Sequence, residues 1–316
     1  MKKVVQVVPY NPNWPEVFAS EAEIIKEVLG DNCMAVHHIG STSITGLLAK
    51  PKIDIIAVVK DPRLACAQFQ KAGIQYLGEY NIPMRYFFRK RRNSDLNLHV
   101  YEESHPEIEL NLMFRDYLRA HPKVRDEYAQ LKAELVQDKS SFIKQKDSPF
   151  TNYTLRKADF IRKVLKNAGF KQIRMLKCND ETEWKAARYF RNKYFFSPHG
   201  IDDPYTWTFD HPEHAHLILY QGADIIGYAH IQFWPNARSA IRIIVVEENK
   251  QNQNLGSRFL DLCEKWLKIL GVKSIHAESR QTALRFYLKN GYTEMPFNDP
   301  EPHESDPHDI PVGKVL

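Results

Sequence analysis

Hydrophobic and polar positions alternate between short apolar runs and longer amphipathic stretches, and the period changes many times along the chain. Over residues 9–29, Val17, Phe18, Ile24, Ile25 and Leu29 recur at helical spacing, which predicts an inward-facing stripe on a helix. Prolines keep the preceding residues 9–15 extended or turned. Residues 35–39 predict a strand, Gly40-Ser41-Thr42-Ser43 a hydroxyl-rich turn, and residues 52–59 a second strand that carries Asp54. Residues 85–100 alternate aromatic and basic positions around Asn93-Ser94-Asp95. This predicts a hairpin with its aromatic face inward and Arg85, Arg89, Arg91 and Arg92 largely outward, as a solvated basic face in preference to a phosphate clamp. Residues 107–112 alternate like a strand, and residues 114–165 read as helices broken near Pro122, Ser140 and Pro149.

A new strand pattern starts at Lys171, just after a helix that ends at Gly169, so residues 1–168 and 169–316 are expected to be separate domains. Residues 172–178 predict a strand; Asn179-Asp180-Glu181 then caps a helix with Trp184, Ala187 and Phe190 on one face. Residues 191–214 are polar and aromatic without clean period, and strands at 216–220 and 225–234 form a hairpin. The β-branched run 241–246 predicts a buried strand, followed by a polar loop and a helix opening at Gly256-Ser257. Leu260, Cys263, Leu267 and Leu270 form its apolar stripe, and Gly271 stops it. A strand at 273–277, a helix at 283–292, a long mobile connection at 296–308 and a last strand at 309–316 complete the pattern.

Composition adds little except bounds. A length of 316 residues favours two cores over one, and 43% hydrophobic with 26% charged residues is ordinary for a globular protein. Cys33, Cys66, Cys178 and Cys263 form no C-x-x-C pair, so neither a disulfide framework nor a zinc site is expected. No stretch reads as a signal peptide or a membrane span, which makes the cytoplasm the expected location. Residues 1–170 carry a net +6 and residues 171–316 a net −1. That imbalance suits a phosphorylated ligand but is too weak for nucleic acid. His37, His38 and His99 read as core histidines, and His211-x-x-His214-x-His216 lacks the partners a zinc site needs.

The strand, polar loop and helix start across 241–271 make a generic anion site, because unpaired N–H groups and the helix dipole both favour phosphate. Within the loop, Gln251-x-x-Asn254-x-Gly256 resembles the Q/R-x-x-G-x-G/A motif of the GNAT acetyltransferases, with Asn254 in place of the first glycine. Asparagine tolerates the left-handed backbone better than most residues. Downstream, Ala283, Phe286, Tyr287, Gly291 and Tyr292 resemble the same family's N-x-x-A-x-x-F-Y-x-x-x-G-F/Y motif, with Arg280 at the asparagine position. The resemblance covers residues 171–316 and implies a GNAT (acyl-CoA N-acyltransferase) fold in which an amine attacks the thioester of acetyl-CoA directly. It implies that the backbone of Ile244 meets the acetyl oxygen and that of Val246 the pantetheine arm. Backbone of Gln251, Gln253, Asn254, Gly256 and Ser257 would cradle the pyrophosphate. Tyr287 would protonate the thiolate, and Glu247 would deprotonate the amine through water. The acceptor, a small-molecule or protein amine, is not legible, and neither is the oligomeric state.

In the first half, PYNPNWPEVF, HIGSTSITGLLAKPKID, the basic hairpin and FRDYLRAHP resemble the GrpB family (UPF0157) over about residues 4–165. That family sits in the nucleotidyltransferase superfamily, so the resemblance implies an α+β, polymerase-β-like fold. Gly40 and Ser41 would then meet the phosphates of a nucleotide, and Asp54 would hold Mg2+. The residue two past Asp54 is Ile56, which cannot bind a metal, so a further acid is expected from Glu107 or Glu109. Two readings stay open for this half: nucleotide or phosphorylated-ligand binding alone, and nucleotidyl transfer as the main function of the chain.

Overall fold

The β-branched run at residues 53–59 becomes the spine of the first half. The computed structural model describes residues 6–91, 95–144, 150–301 and 308–316. The chain divides into two compact units, Met1–Arg174 and Met175–Leu316. The first opens with helix α1 (Trp14–Leu29), which has proline in its first turn, where the missing N–H costs nothing. Its buried apolar stripe is Trp14, Ala22, Ile25 and Leu29; Val17 and Ile24, expected inward, flank that stripe at 36% and 39% exposure. Then follow β1 (Cys33–Ile39), β2 (Ile53–Val59), α2 (Pro62–Lys71), β3 (Gln75–Tyr76), β4 (Tyr86–Lys90) and β5 (Leu96–Glu102).

Among the described residues these strands form one mixed sheet in the order β1-β2-β5-β4-β3, with β2 and β5 parallel. Both faces of β2 are covered, which explains its continuous apolar run. Ile53, Ile55, Ala57 and Val59 pack with Phe69, Phe88 and Leu98, whereas Ile56 and Val58 pack with Ile39 and Tyr101. Helices α3 (Pro106–Ala120), α4 (Pro122–Gln137), the single turn α5 (Asn152–Leu155) and α6 (Ala158–Asn167) complete the unit. Leu47, Leu118, Tyr128 and Val164 form a second core there. Residues 107–112 are therefore helical, not a strand. Pro106 starts α3, His105 accepts from the Glu107 N–H, and Leu110 and Leu118 bury on one face.

The second unit is built on β6 (Ile173–Lys177), α7 (Glu181–Arg191), β7 (His214–Gln221), β8 (Asp224–Trp234), β9 (Arg238–Val246), α8 (Leu255–Ile269), β10 (Ser274–Ser279), α9 (Gln281–Lys289), β11 (Thr293–Glu294) and β12 (Ile310–Val315). The sheet runs β11-β12-β10-β9-β8-β7-β6, with β9 and β10 parallel. Asp180 and Glu183 form a reciprocal capping box that fixes the start of α7. Phe259, Leu260, Cys263, Trp266 and Leu267 bury the inner face of α8, while Leu270, expected on that face, is 47% exposed. Both halves are thus α+β with mixed sheets, as the two resemblances imply. No helix among the described residues is long and apolar enough to cross a membrane.

Candidate active site and a second cavity

In the second unit, the parallel pairing of β9 with β10 covers only Arg238, Ser239 and Ala240 against Ser274, Ile275 and His276. Beyond Ala240, β9 remains paired with β8 as far as Val246 but has no β10 partner, so its outward N–H and C=O groups face a widening gap. Ile244 and Val246 lie on this unpaired stretch. A bulge sits opposite the gap: His230 pairs with Ile243 and Ile231 with Ile241, leaving Arg242 as the extra residue. Bulges of this kind re-aim a side chain next to a site.

The loop after β9 has the expected shape. Asn254 sits at φ 60°, ψ 10°, and Asn252 is also left-handed at φ 60°. No side chain caps α8, so the N–H groups of Leu255, Gly256 and Ser257 are left for a ligand. Gln251 donates from Nε2 to the Val246 carbonyl at 3.2 Å, tying the loop to the strand end. A Cβ on Gly256 would meet the Phe286 ring at 3.2 Å, so the small residue lets α8 approach α9. This donor set fits a pyrophosphate. Tyr287 is buried against Phe286 and Tyr292, and burial pushes its phenol far above the ordinary value. It therefore holds its proton throughout the physiological range. Glu247 accepts from Tyr194 at 2.8 Å and pairs with Lys193 at 3.2 Å. Burial tends to raise its carboxyl, but the hydrogen bonds from Tyr194 and Lys193 outweigh it and hold the group below its usual range.

Where the gap opens lies a cavity of about 250 Å³, lined by Ile241 and Ile243 from β9, Glu278 from β10, Arg280, and Phe195, Phe196 and Tyr205 from residues 191–214. Glu247 and Tyr287 do not line it. Its wall is a buried polar network. Arg191 forks onto Asp203 with Nε to Oδ2 at 2.5 Å and Nη2 to Oδ1 at 2.8 Å, and its Nη1 meets His230 Nδ1 at 3.2 Å. His230 in turn meets His214 at 2.8 Å, and His216 meets the Tyr228 hydroxyl at 2.6 Å. Burial holds His216 down at about 3 and His230 well below its ordinary value, so both are neutral. The connection after β11, expected to be mobile, is tied to the sheet over its described part. Asp299 pairs with Arg242, Glu301 accepts from Gln232 and Phe297 packs on Trp234; residues 302–307 lie outside the described residues.

The first unit has its own cavity, of about 420 Å³, at the N-terminal end of β2. Ser41 and Asp54 line it, whereas Gly40 supports it from behind: a Cβ there would sit 2.6 Å from Asp54 Oδ2. Asp54 Oδ1 accepts from Asn97 at 2.7 Å. Burial raises the Asp54 carboxyl, opposed by Asn97 and by Lys52, Lys157 and Lys50. Arg85 and Arg89, expected in solvent, line this cavity, and Arg85 is only 6% exposed. The reason is that β4 is covered on both faces, so its basic face closes over the pocket and not over water. Of the other two arginines, Arg91 is exposed, and Arg92, like the expected turn residues Asn93 and Ser94, lies outside the described residues. His99 also lines the cavity and is held neutral, at about 3, by burial and by Arg85. Glu107 is buried on α3 and Glu109 exposed, and neither lines the cavity. Ile56 faces the opposite core. Among the described residues no group of three His, Cys, Asp or Glu side chains is placed to hold a metal. Magnesium needs near-octahedral oxygen ligands, and one carboxylate ringed by lysines does not fit it.

The family model described as GrpB protein matches residues 4–167, more than half of the chain. The chain belongs to the GrpB family. A second model, described as Acetyltransferase (GNAT) family, matches residues 180–292, so a GNAT domain follows the GrpB domain. The UPF0157 protein YqkA of Bacillus subtilis is 39% identical over 172 residues, which are 53% of this chain and 48% of YqkA. The chain thus spans about half the length of that relative. The solved structure of the conserved protein GrpB from Enterococcus faecalis is 35% identical, covers 52% of this chain and 96% of its own, and has a TM-score of 0.45. The acetyltransferase of GNAT family from Staphylococcus aureus Mu50 is 16% identical, covers 46% of this chain and 99% of its own, and has a TM-score of 0.39.

Within the GNAT domain, sequence spacing singles out the loop from Gln251 to Ser257 but gives no hint of Glu278, Arg242 or Asp309 in the cavity wall. Arg280 carried one signal, since it occupies a motif position usually filled by asparagine. In the GrpB domain the missed residues are Lys50, Lys132 and Lys157, which arrive in one pocket from separate segments.

Proposed function

We propose that the GNAT domain is an acetyl-CoA-dependent N-acetyltransferase of the cytoplasm. The observation that carries this reading is the parting of β9 and β10 beside an uncapped helix start, with a cavity at the opening. Acetyl-CoA supplies the acetyl group as an activated thioester. The backbone of Gln251, Gln253, Asn254, Gly256 and Ser257 binds its pyrophosphate, and the unpaired backbone at Ile244 and Val246 orients the acyl and pantetheine ends. The acceptor amine enters the cavity lined by Phe195, Phe196 and Tyr205. Tyr287 holds the proton destined for the leaving sulfur, a role its burial supports because a neutral phenol is the donor form. Glu247 is held ionised by Tyr194 and Lys193 and lies off the cavity, whereas Glu278 lines it; we assign the amine's proton to one of these two acids.

Calorimetry with acetyl-CoA, followed by an amine-acceptor screen that reads acetyl-CoA consumption, tests this directly. Absence of acetyl-CoA binding at millimolar concentration would refute it. A second reading places the main function in the GrpB domain, as a nucleotide-binding or nucleotidyl-transferring protein acting through Gly40, Ser41 and Asp54. It is supported by the cation-rich cavity beside Asp54.

A further inference from the structure

The lining of the GrpB-domain cavity is unusual in its charge. Lys50, Lys52, Arg85, Arg89, Lys132 and Lys157 face a single carboxylate, Asp54. Lys52 pairs with Asp95 at 3.3 Å, but among the described residues no carboxylate lies within ion-pair distance of Lys50, Lys132 or Lys157. Lys50 and Lys157 instead rest on one ring, with Nζ 4.0 and 4.7 Å from the centroid of Tyr153. Lys132 is 2% exposed and donates to the Ser41 hydroxyl at 3.0 Å and to the Leu48 carbonyl. Among the described residues, the buried Nε groups of Arg85 and Arg89 have no hydrogen-bond partner.

Gathering six cations around one lining carboxylate opposes folding, because like charges repel and each loses hydration. A cavity that keeps them is built for an anion. We propose that this cavity is a metal-independent binding site for a multiply charged phosphate chain, inorganic or esterified, held by the lysine and arginine side chains in place of a magnesium ion. The volume is within the range of small-ligand sites. Arginine forks and lysine ammonium groups are the usual donors to phosphate oxygens. Tyr80 and Phe150 at the rim offer rings to a nucleoside if the chain is esterified. This deepens the phosphorylated-ligand reading of the GrpB domain and removes its metal; it is independent of acetyl transfer. Crowding supports it, since burial and the neighbouring lysines hold Lys132 down at about 7, and burial first holds Lys50 and Lys157 at about 8. A bound phosphate chain would reverse those shifts and draw protons into the site.

The test is titration calorimetry of the full chain with sodium tripolyphosphate, and separately with ATP, in EDTA and in excess magnesium. Binding in EDTA that magnesium does not strengthen is expected, together with a steep loss in salt and proton uptake at pH 8 in buffers of different ionisation enthalpy. Lys157→Gln and Arg89→Gln, at half-buried positions, should each weaken tripolyphosphate by about tenfold or more. Asp54→Asn should bind equally or more tightly, the opposite of what a metal ligand would do. Tighter binding of ATP than of tripolyphosphate would assign the esterified source, and the reverse the inorganic one; both support the site. Binding that requires magnesium, binding lost in Asp54→Asn, equal affinity for citrate, or heat unchanged in both Lys157→Gln and Arg89→Gln would overturn it. The last outcome would place the anion in the GNAT domain.

Discussion

Replacing Gly40 by alanine tests the geometry of the GrpB-domain turn more sharply than any other single change. Gly40 has φ 69° and ψ −172°, a region reserved for glycine. A Cβ built there lies 2.6 Å from Asp54 Oδ2 and 2.9 Å from Asp54 Cβ. The carboxylate can swing away, but the Asp54 Cβ is rooted in β2 and cannot. Backbone strain at such a position costs about 1–3 kcal/mol. Overpacking against a fixed atom costs about 1–3 kcal/mol more. The combined loss of about 2–6 kcal/mol is a large share of the roughly 5–15 kcal/mol that holds a domain folded. It corresponds to a fall of about 4–24 °C in the midpoint for a unit of this size. Gly30→Ala is the control, because Gly30 has a similar backbone, φ 52° and ψ −132°, with nothing within 4 Å of its built Cβ. Differential scanning calorimetry, with hydrogen exchange on the amides of β1 and β2, reads both variants. Gly40→Ala should lose more stability than Gly30→Ala and should loosen β1 and β2 locally. Equal shifts for the two would refute the contact with Asp54.

Other outcomes follow from the same structure. Arg191→Met strands the buried Asp203 carboxylate and should cost the GNAT domain about 3–5 kcal/mol by denaturant unfolding, much of it recovered on adding Asp203→Asn. Tyr287→Phe should leave the thermal midpoint nearly unchanged while lowering kcat, and normal turnover would remove Tyr287 from the proton-donor role. Asn254→Gly should keep or improve acetyl-CoA affinity, because φ 60° is easier for glycine; a sharp loss by calorimetry would make the side chain part of the site. Lys132 has a lower pKa in the folded protein, about 7, than its ordinary 10.5, so unfolding takes up a proton between those values. The GrpB domain should therefore gain stability as pH rises through that window, and Lys132→Met should flatten the gain in thermal melts.

Local pattern was enough for most of the elements. The apolar run at 53–59, the stripe through Leu260, Cys263 and Leu267, and the capping residues at Asp180 and Glu183 act over a few positions, where period and propensity dominate. The loop proposed to bind pyrophosphate is equally local: strand, turn and helix start are contiguous from Ile243 to Ser257, and Asn254 adopts the left-handed backbone its residue type permits. What lay beyond the sequence is which face of an element is covered. Residues 107–112 alternate like a strand, yet Pro106 and burial of Leu110 and Leu118 make them a helix. Arg85 and Arg89 read as solvent residues because alternation reports two faces and not what each face meets. The cation cluster joins Lys50, Arg85, Lys132 and Lys157, and the cavity of the GNAT domain joins Arg191, Arg242, Glu278 and Asp309. Each set comes from distant segments, so its charge density exists only once the sheets have formed. The bulge at Arg242 likewise depends on how β8 and β9 register, a pairing fixed by packing and not by any residue within the strand.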